Sequence, residues 1–241
     1  MSKIDEKERG LEEFFLDNVS HEIRTPLNAL IGFNDLLNGV SGQHMGEEEK
    51  MMMKEHINRN AMRLLRAVDD ILDLSMMQKG TLKLHKTIVG LMEVCYKARE
   101  SVKREVHHGV KLQHQFPVAL KDAYLYTDGR RLEQILRNLL VNACQHTDEG
   151  TITLKVSTFE APNDRKKMLR ISVEDTGEGI PKDQWDQLFK PFHKVDLKTE
   201  GLGAGLTVSK GLAKLMNGDV YQDTSYKGGA SFVFEMPFED I

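Results

Sequence analysis

The stretch Phe15-Leu-Asp-Asn-Val-Ser20-His21-Glu22-Ile23-Arg24-Thr25-Pro26-Leu27-Asn28-Ala29-Leu30 builds an amphipathic helix around one histidine. Phe15, Val19, Ile23, Leu27, Leu30 and Ile31 recur at helical spacing and form an apolar stripe. Ser20, His21, Arg24, Thr25 and Asn28 fall off that stripe, so His21 is expected on the wet side of the helix. Pro26 lacks the N–H that would bond the Glu22 carbonyl, and its ring crowds that carbonyl, which predicts a bend beside His21.

Downstream, Asn38 to Gly46 is a glycine-punctuated loop, and a second long pattern follows it with Ile57, Ala61, Leu64, Val68, Ile71, Leu72 and Ser75 on one stripe. Two long helices joined by a short turn make a hairpin whose apolar seam has no cover of its own. Pairing with a second copy in a dimeric four-helix bundle is the simplest solution. The methionines at 51 to 53, 62, 76 and 77 read as flexible core filling. The periodicity changes near Gly80, which divides the chain into 1–80 and 81–241.

Beyond that point helix and strand patterns mix. Residues 82–89, 110–116, 151–159, 168–173 and 231–236, together with Val220, read as strands, and residues 91–106, 132–146 and 205–216 as helices, with another opening at Pro181. The fold class is therefore α+β, a helical hairpin followed by a layered α/β domain with a mainly antiparallel or mixed sheet. The composition, 40% hydrophobic and 29% charged, is that of an ordinary globular chain, and a net charge of -4 lacks the basic excess of a nucleic-acid binder. Cys95 and Cys144 sit in apolar helical patterns without metal or redox spacing, and read as core residues in a reducing compartment. The start is not a signal peptide and no run approaches a membrane span.

Four clusters in the second domain carry binding chemistry. Asn138, Asn142, Gln145 and His146 share one polar stripe of a helix, and an amide oxygen is a suitable hard ligand for Mg²⁺. Asp175-Thr-Gly177-Glu-Gly179-Ile180-Pro181 follows a strand, where a carboxylate can accept from an exocyclic amine and glycines admit a planar base. Leu188-Phe189-Lys-Pro-Phe192 sets two aromatics around a proline. Gly201-Leu202-Gly203-Ala204-Gly205-Leu206 leads into a helix whose N-terminal N–H groups can meet phosphate oxygens. Taken singly each is an ordinary turn or helix face, and the last is neither a Walker A loop nor a Rossmann fingerprint.

In order, these clusters resemble the asparagine, first glycine, phenylalanine and second glycine boxes of sensor histidine kinases, and the stretch around His21 resembles their phosphoacceptor box. The resemblance covers the chain from about Phe14 onward. It implies a dimerisation and phosphotransfer hairpin followed by a Bergerat-type ATP-binding sandwich. It further implies that His21 takes the phosphoryl group of ATP, with Glu22 as general base, and passes it to an aspartate of a response regulator receiver domain, separate or fused. Because His21 and the ATP pocket fall in different domains, the second must swing onto the hairpin. Thr25, one turn from His21, corresponds to a position that orients water for regulator dephosphorylation. Asn142 becomes the Mg²⁺ ligand with Asn138 beside it, and Asp175 reads adenine with Gly177, Gly179 and Ile180. Phe192 borders a lid over residues 193–200 that carries Lys194 toward the phosphates, and the glycine turn 201–206 holds the phosphates. Gln145 and His146 stand where the family often has Lys and an aromatic, and Ala204 stands where Leu is common. This segment is expected in the cytoplasm, with any inner-membrane anchor of the parent protein upstream.

Overall fold

A computed structural model describes residues 3–39, 45–162, 165–195 and 202–239, with side chains from residue 19 onward. The chain divides into two compact units, Met1–Met76 and Met77–Ile241. The first holds α1 (Lys3–Asn38) and most of α2 (Glu47–Gln78). Helix α1 continues through Pro26, which is buried, and the Thr25 hydroxyl donates to the His21 carbonyl at 3.1 Å. Glu47, Glu48 and Glu49 occupy the first turn of α2, where the helix dipole favours negative charge. The Glu49 carboxylate also reaches back to accept from the Gly46 N–H at 3.0 Å, one half of a capping box.

Phe33 of α1 stacks on His56 of α2, with ring centroids 5.2 Å apart. Much of the apolar stripe nevertheless stays open within one chain, with Leu27 42%, Ile31 53% and Leu72 54% exposed. The methionines depart from the sequence reading. Met51, Met52, Met62 and Met76 are exposed, because the hairpin is only two helices thick and one chain supplies no third layer to cover them.

The second unit is a two-layer sandwich. Its five-stranded mixed sheet has the order β2 (Val110–Gln115), β4 (Gly150–Glu160), β5 (Lys167–Asp175), β7 (Ser231–Pro237), β6 (Asp219–Gln222). β2 pairs parallel to β4, and the other neighbours are antiparallel. A separate two-stranded ribbon pairs β1 (Thr87–Gly90) with β3 (Tyr124–Thr127). Helices α3 (Leu91–Ser101), α4 (Gly129–Gln145) and α5 (Gly205–Leu215) form the other layer.

Period-two alternation decides which face of the sheet the helices cover. Ile152, Leu154 and Val156 of β4, Leu169, Ile171 and Val173 of β5, and Phe232, Phe234 and Met236 of β7 are all buried. The register joins them in rows such as Val156, Ile171 and Phe234. The opposite face carries Lys155, Arg170, Glu174 and Glu235, with Arg170 Nε 2.6 Å from Glu235 Oε1. Asp175 ends the apolar row of β5, so its carboxylate lies on the helix side of the sheet.

Local chemistry fixes the helix ends. Buried Asp128 caps α4, accepting from the N–H of Arg131 at 3.1 Å and from that of His85 at 2.9 Å, which ties the connector to the start of the helix. Helix α3 stops at Ser101 rather than running to residue 106. There the Ser101 hydroxyl takes the Ala98 carbonyl and the next N–H groups tighten to bonds three residues back. The segment after Pro181 is a short 3₁₀ turn (Lys182–Gln187) rather than an α-helix, and the first strand keeps only its last residues, 87–90.

Candidate functional site

His21 is exposed on α1, with half-buried Glu22 beside it. The Thr25 proton is engaged with the His21 carbonyl, which leaves the hydroxyl oxygen as an acceptor toward solvent. His21 and Thr25, one helical turn apart, therefore share an exposed face that offers an imidazole and a hydroxyl, with Glu22 next to it along the chain.

The second constellation gathers where α4 ends, β5 ends and α5 begins. Asn138 and Asn142 share a helix face but do different work. Asn138 Nδ2 donates to the Gly205 carbonyl at 3.2 Å and to Ser209 Oγ at 3.3 Å, so it fastens α4 to the first turn of α5. Asn142, one turn later, has no hydrogen-bond partner among the described residues, and its amide oxygen is available to a ligand.

Asp175 is 1% exposed. Its Oδ1 accepts from the backbone N–H of Gly177 at 3.0 Å and of Ala230 at 3.1 Å. Oδ2 has no partner among the described residues. Burial pushes the carboxyl above its ordinary range, against the pull of the two N–H donors and of His146 nearby. One oxygen is thus locked and the other is presented as an acceptor in a site of low polarity.

Gly177 is required by close approach, since a Cβ there would stand 1.8 Å from the His146 carbonyl oxygen. This contact brings the end of α4 against the loop after β5. Ile180 is fixed through its carbonyl, which accepts from the indole of Trp185, the one tryptophan of the chain, at 3.0 Å. The same 3₁₀ turn supplies Gln184, whose amide oxygen lies 3.0 Å from His193 Nε2.

Phe192 and Gly203 form a second close junction. Both are left-handed, with φ of 63° and 66°, and the Phe192 N–H donates to the Gly203 carbonyl at 3.1 Å. A Cβ on Gly203 would meet the His193 carbonyl oxygen at 2.7 Å. Leu202 and Ala204 are buried, while Gly205, Leu206 and Lys194 are half-buried. The sequence reading therefore brings Asn138, Asn142, His146, Asp175, Gly177, Gly179 and Ile180 into one neighbourhood, with Phe192 and the turn 202–206 at its side. Gly201 and the lid residues 196–200 lie outside the described residues.

Several contributors escaped the sequence reading. Ala230 donates to Asp175 from 55 residues away, and Gly229 lies against both Asp175 and Gly179. The available signal was the Gly228-Gly229 pair just before a strand. Ser209, wholly buried, and Thr207, whose hydroxyl donates to the Phe189 carbonyl at 3.0 Å, anchor α5. Among the described residues no group of three His, Cys, Asp or Glu side chains can hold a metal, so a cation here would need oxygens from a bound ligand.

The chain is thus built in two parts, a helical unit with an exposed histidine and a sandwich with a buried carboxylate, two asparagines and a glycine turn at a helix start. Residues 11–80 match the His Kinase A (phospho-acceptor) domain, and residues 127–240 match the histidine kinase-, DNA gyrase B- and HSP90-like ATPase family. The chain belongs to the sensor histidine kinases and is a transmitter core of that family. It is 32% identical over 232 residues to the sensory/regulatory protein RpfC of Xanthomonas campestris, covering 92% of this chain and 31% of that protein. It is 33% identical over 239 residues to two-component system protein A of Emericella nidulans, covering 95% and 34%. The autoinducer 2 sensor kinase/phosphatase LuxQ of Vibrio harveyi is 31% identical over 241 residues, covering 98% and 27%. The chain thus spans about a third of the length of the curated relatives it matches. Among solved structures, full-length ShkA in complex with AMPPNP superposes with a TM-score of 0.66 at 28% identity, over 94% of this chain and 46% of that one. The histidine kinase AdeS of Acinetobacter baumannii, at 22% identity and a TM-score of 0.61 over 91% and 98%, shares the fold. Among the described residues no helix is long and apolar enough to cross a membrane.

Proposed function

We propose that residues 81–241 bind ATP and that the chain phosphorylates itself on His21 in the hairpin of residues 1–80. A ring nitrogen of His21 attacks the γ-phosphorus. The N–P bond forms as the bond to the ADP oxygen breaks, and Glu22 takes the imidazole proton. A receiver-domain aspartate then attacks the phosphorus, the N–P bond breaks, and the imidazole regains a proton.

Asp175 selects adenine through its free Oδ2, with Gly177, Gly179 and Ile180 against the base and His146 close by. Gly203, Ala204 and Gly205, with Leu202, Leu206 and Gly201, present backbone donors to the phosphates, and Phe192, Lys194 and Gln145 border them. Mg²⁺ fits the unpartnered amide of Asn142 and supplies charge neutralisation between the phosphates. Asn138 serves the site through its hold on α5. The exposed stripe of the hairpin, Leu27, Ile31, Val68 and Leu72 included, supports a homodimer built through the helices. Thr25 beside His21, and the kinase/phosphatase name of the Vibrio relative, support hydrolysis of the regulator's acyl phosphate as a second activity.

The observation that carries this reading is the Asp175 carboxylate, buried with one oxygen locked by two backbone amides and the other free. The chain incubated with radiolabelled ATP and Mg²⁺ is expected to acquire an acid-labile, base-stable phosphate. His21→Gln is expected to lose the label and keep nucleotide binding. Label persisting in that variant would remove His21 from the reaction.

A further inference from the structure

Gly211 lies in the interior of α5, where glycine is among the least favourable residues. Its φ is not positive, so the backbone makes no demand for it. Its surroundings do. A Cβ at Gly211 would stand 2.5 Å from Met77 Sδ and 3.2 Å from Met77 Cε. The thioether is therefore laid against the bare Cα of α5. Met77 belongs to the same compact unit as α5, and the Gly80 N–H closes onto its carbonyl at 3.0 Å as α2 ends.

What α5 does gives this contact its meaning. The helix begins at Gly205, and Asn138 grips that first turn through the Gly205 carbonyl and Ser209. Thr207 ties the same turn to the Phe189 carbonyl. An 11-residue helix moves as a rod, so a push at Gly211 changes the aim of the N–H groups at its start.

We propose that Met77 is a positioning residue for nucleotide binding: seated against Gly211, its thioether sets α5 and thereby the turn that meets the triphosphate. This rests on the nucleotide reading above. The adenine end, held by Asp175 on β5, lies outside the reach of this contact.

The test uses the full chain, with Gly211→Ala, Met77→Ala and the double variant. Binding of a non-hydrolysable Mg-ATP analogue and of adenosine is measured separately by calorimetry. Gly211→Ala improves helix propensity, so its added methyl acts through the collision with Met77 rather than through a weaker helix. It is expected to weaken the triphosphate about fivefold while adenosine affinity changes less than about twofold. Met77→Ala, which leaves a void at the same place, is expected to act in the same direction and reads the contact should Gly211→Ala fail to fold. The double variant removes the collision and is expected to recover most of the Gly211→Ala loss. Unchanged triphosphate affinity in both single variants, parallel loss of adenosine, or no recovery in the double variant would overturn the proposal. If wild type binds neither probe, the nucleotide reading falls and takes this inference with it. If wild type binds both and the variants match it, the inference alone falls.

Discussion

Replacing Asp175 by Asn separates recognition from stability, because the two oxygens of this carboxylate have different tasks. Oδ1 satisfies the N–H groups of Gly177 and Ala230 at 3.0 and 3.1 Å, and an amide oxygen accepts both equally well. The amide nitrogen must then take the place of Oδ2, where it turns a donor toward the exocyclic amine of adenine. Loss of a hydrogen bond to a charged group costs roughly 1.5–3 kcal/mol. At about 1.4 kcal/mol per decade this predicts roughly 10- to 150-fold weaker ATP binding.

Stability moves the other way. Burial raises the folded carboxyl above its ordinary 3.8, so the folded state resists ionisation. An acid shifted upward contributes stability that is complete below its unfolded pKa and is lost as pH rises through the folded one. At pH 7 the wild type bears this loss and Asp175→Asn does not, so the variant is expected to melt no lower than wild type, with any advantage disappearing as the pH falls below 3.8. ATP affinity is followed by the fluorescence of Trp185, whose indole donates to the Ile180 carbonyl within the same site, and stability by thermal melts across pH. Wild-type affinity in Asp175→Asn, or a large fall in its melting temperature at pH 7, would refute the division of labour between the two oxygens.

Further outcomes follow from the same geometry. Asn142→Ala removes an amide that has no partner among the described residues. It should leave stability within about 0.5 kcal/mol while abolishing the gain in ATP affinity on adding Mg²⁺, which paired titrations with and without the metal measure. Gly177→Ala forces a methyl to within 1.8 Å of the His146 carbonyl, a backbone oxygen and not the end of a flexible side chain. It should destabilise the domain by roughly 3 kcal/mol, seen as a melting temperature lower by about 10 °C. Cys95 and Cys144 are pushed up from 9.0 to about 12 by burial. Both should resist a thiol reagent at pH 8 until the protein unfolds, and stability should fall as pH rises from 9.0 toward 12.

How much of this was legible in the chain depended on whether the decisive contact was local. His21 could be placed in solvent because six apolar residues at helical spacing left it no other face. The two-layer sandwich followed from alternation in β4, β5 and β7, where each side chain's direction depends only on its parity. β3 was missed because Tyr124–Thr127 is four residues long with its tyrosines exposed, and it is a strand by virtue of pairing with β1. Asn138 and Asn142 are indistinguishable on a helical wheel, and only the arrival of α5 makes one a clamp and leaves the other open. The donation from Ala230 to Asp175 spans 55 residues and has no local signature. The methionines of α2 were read as interior because a stripe reveals that a face is apolar without revealing which chain covers it.

Pro26 has one more effect, on the mechanics of the long first helix. With no proton on its nitrogen, the ladder of α1 lacks one rung, the one that would end on Glu22, the residue next to His21. Amides around that gap should exchange with deuterium sooner than those toward Asn38, since each broken rung lowers the work of local opening. The imidazole of His21 thus rides beside a weakened turn of a stiff lever, where a smaller torque is enough to re-aim it.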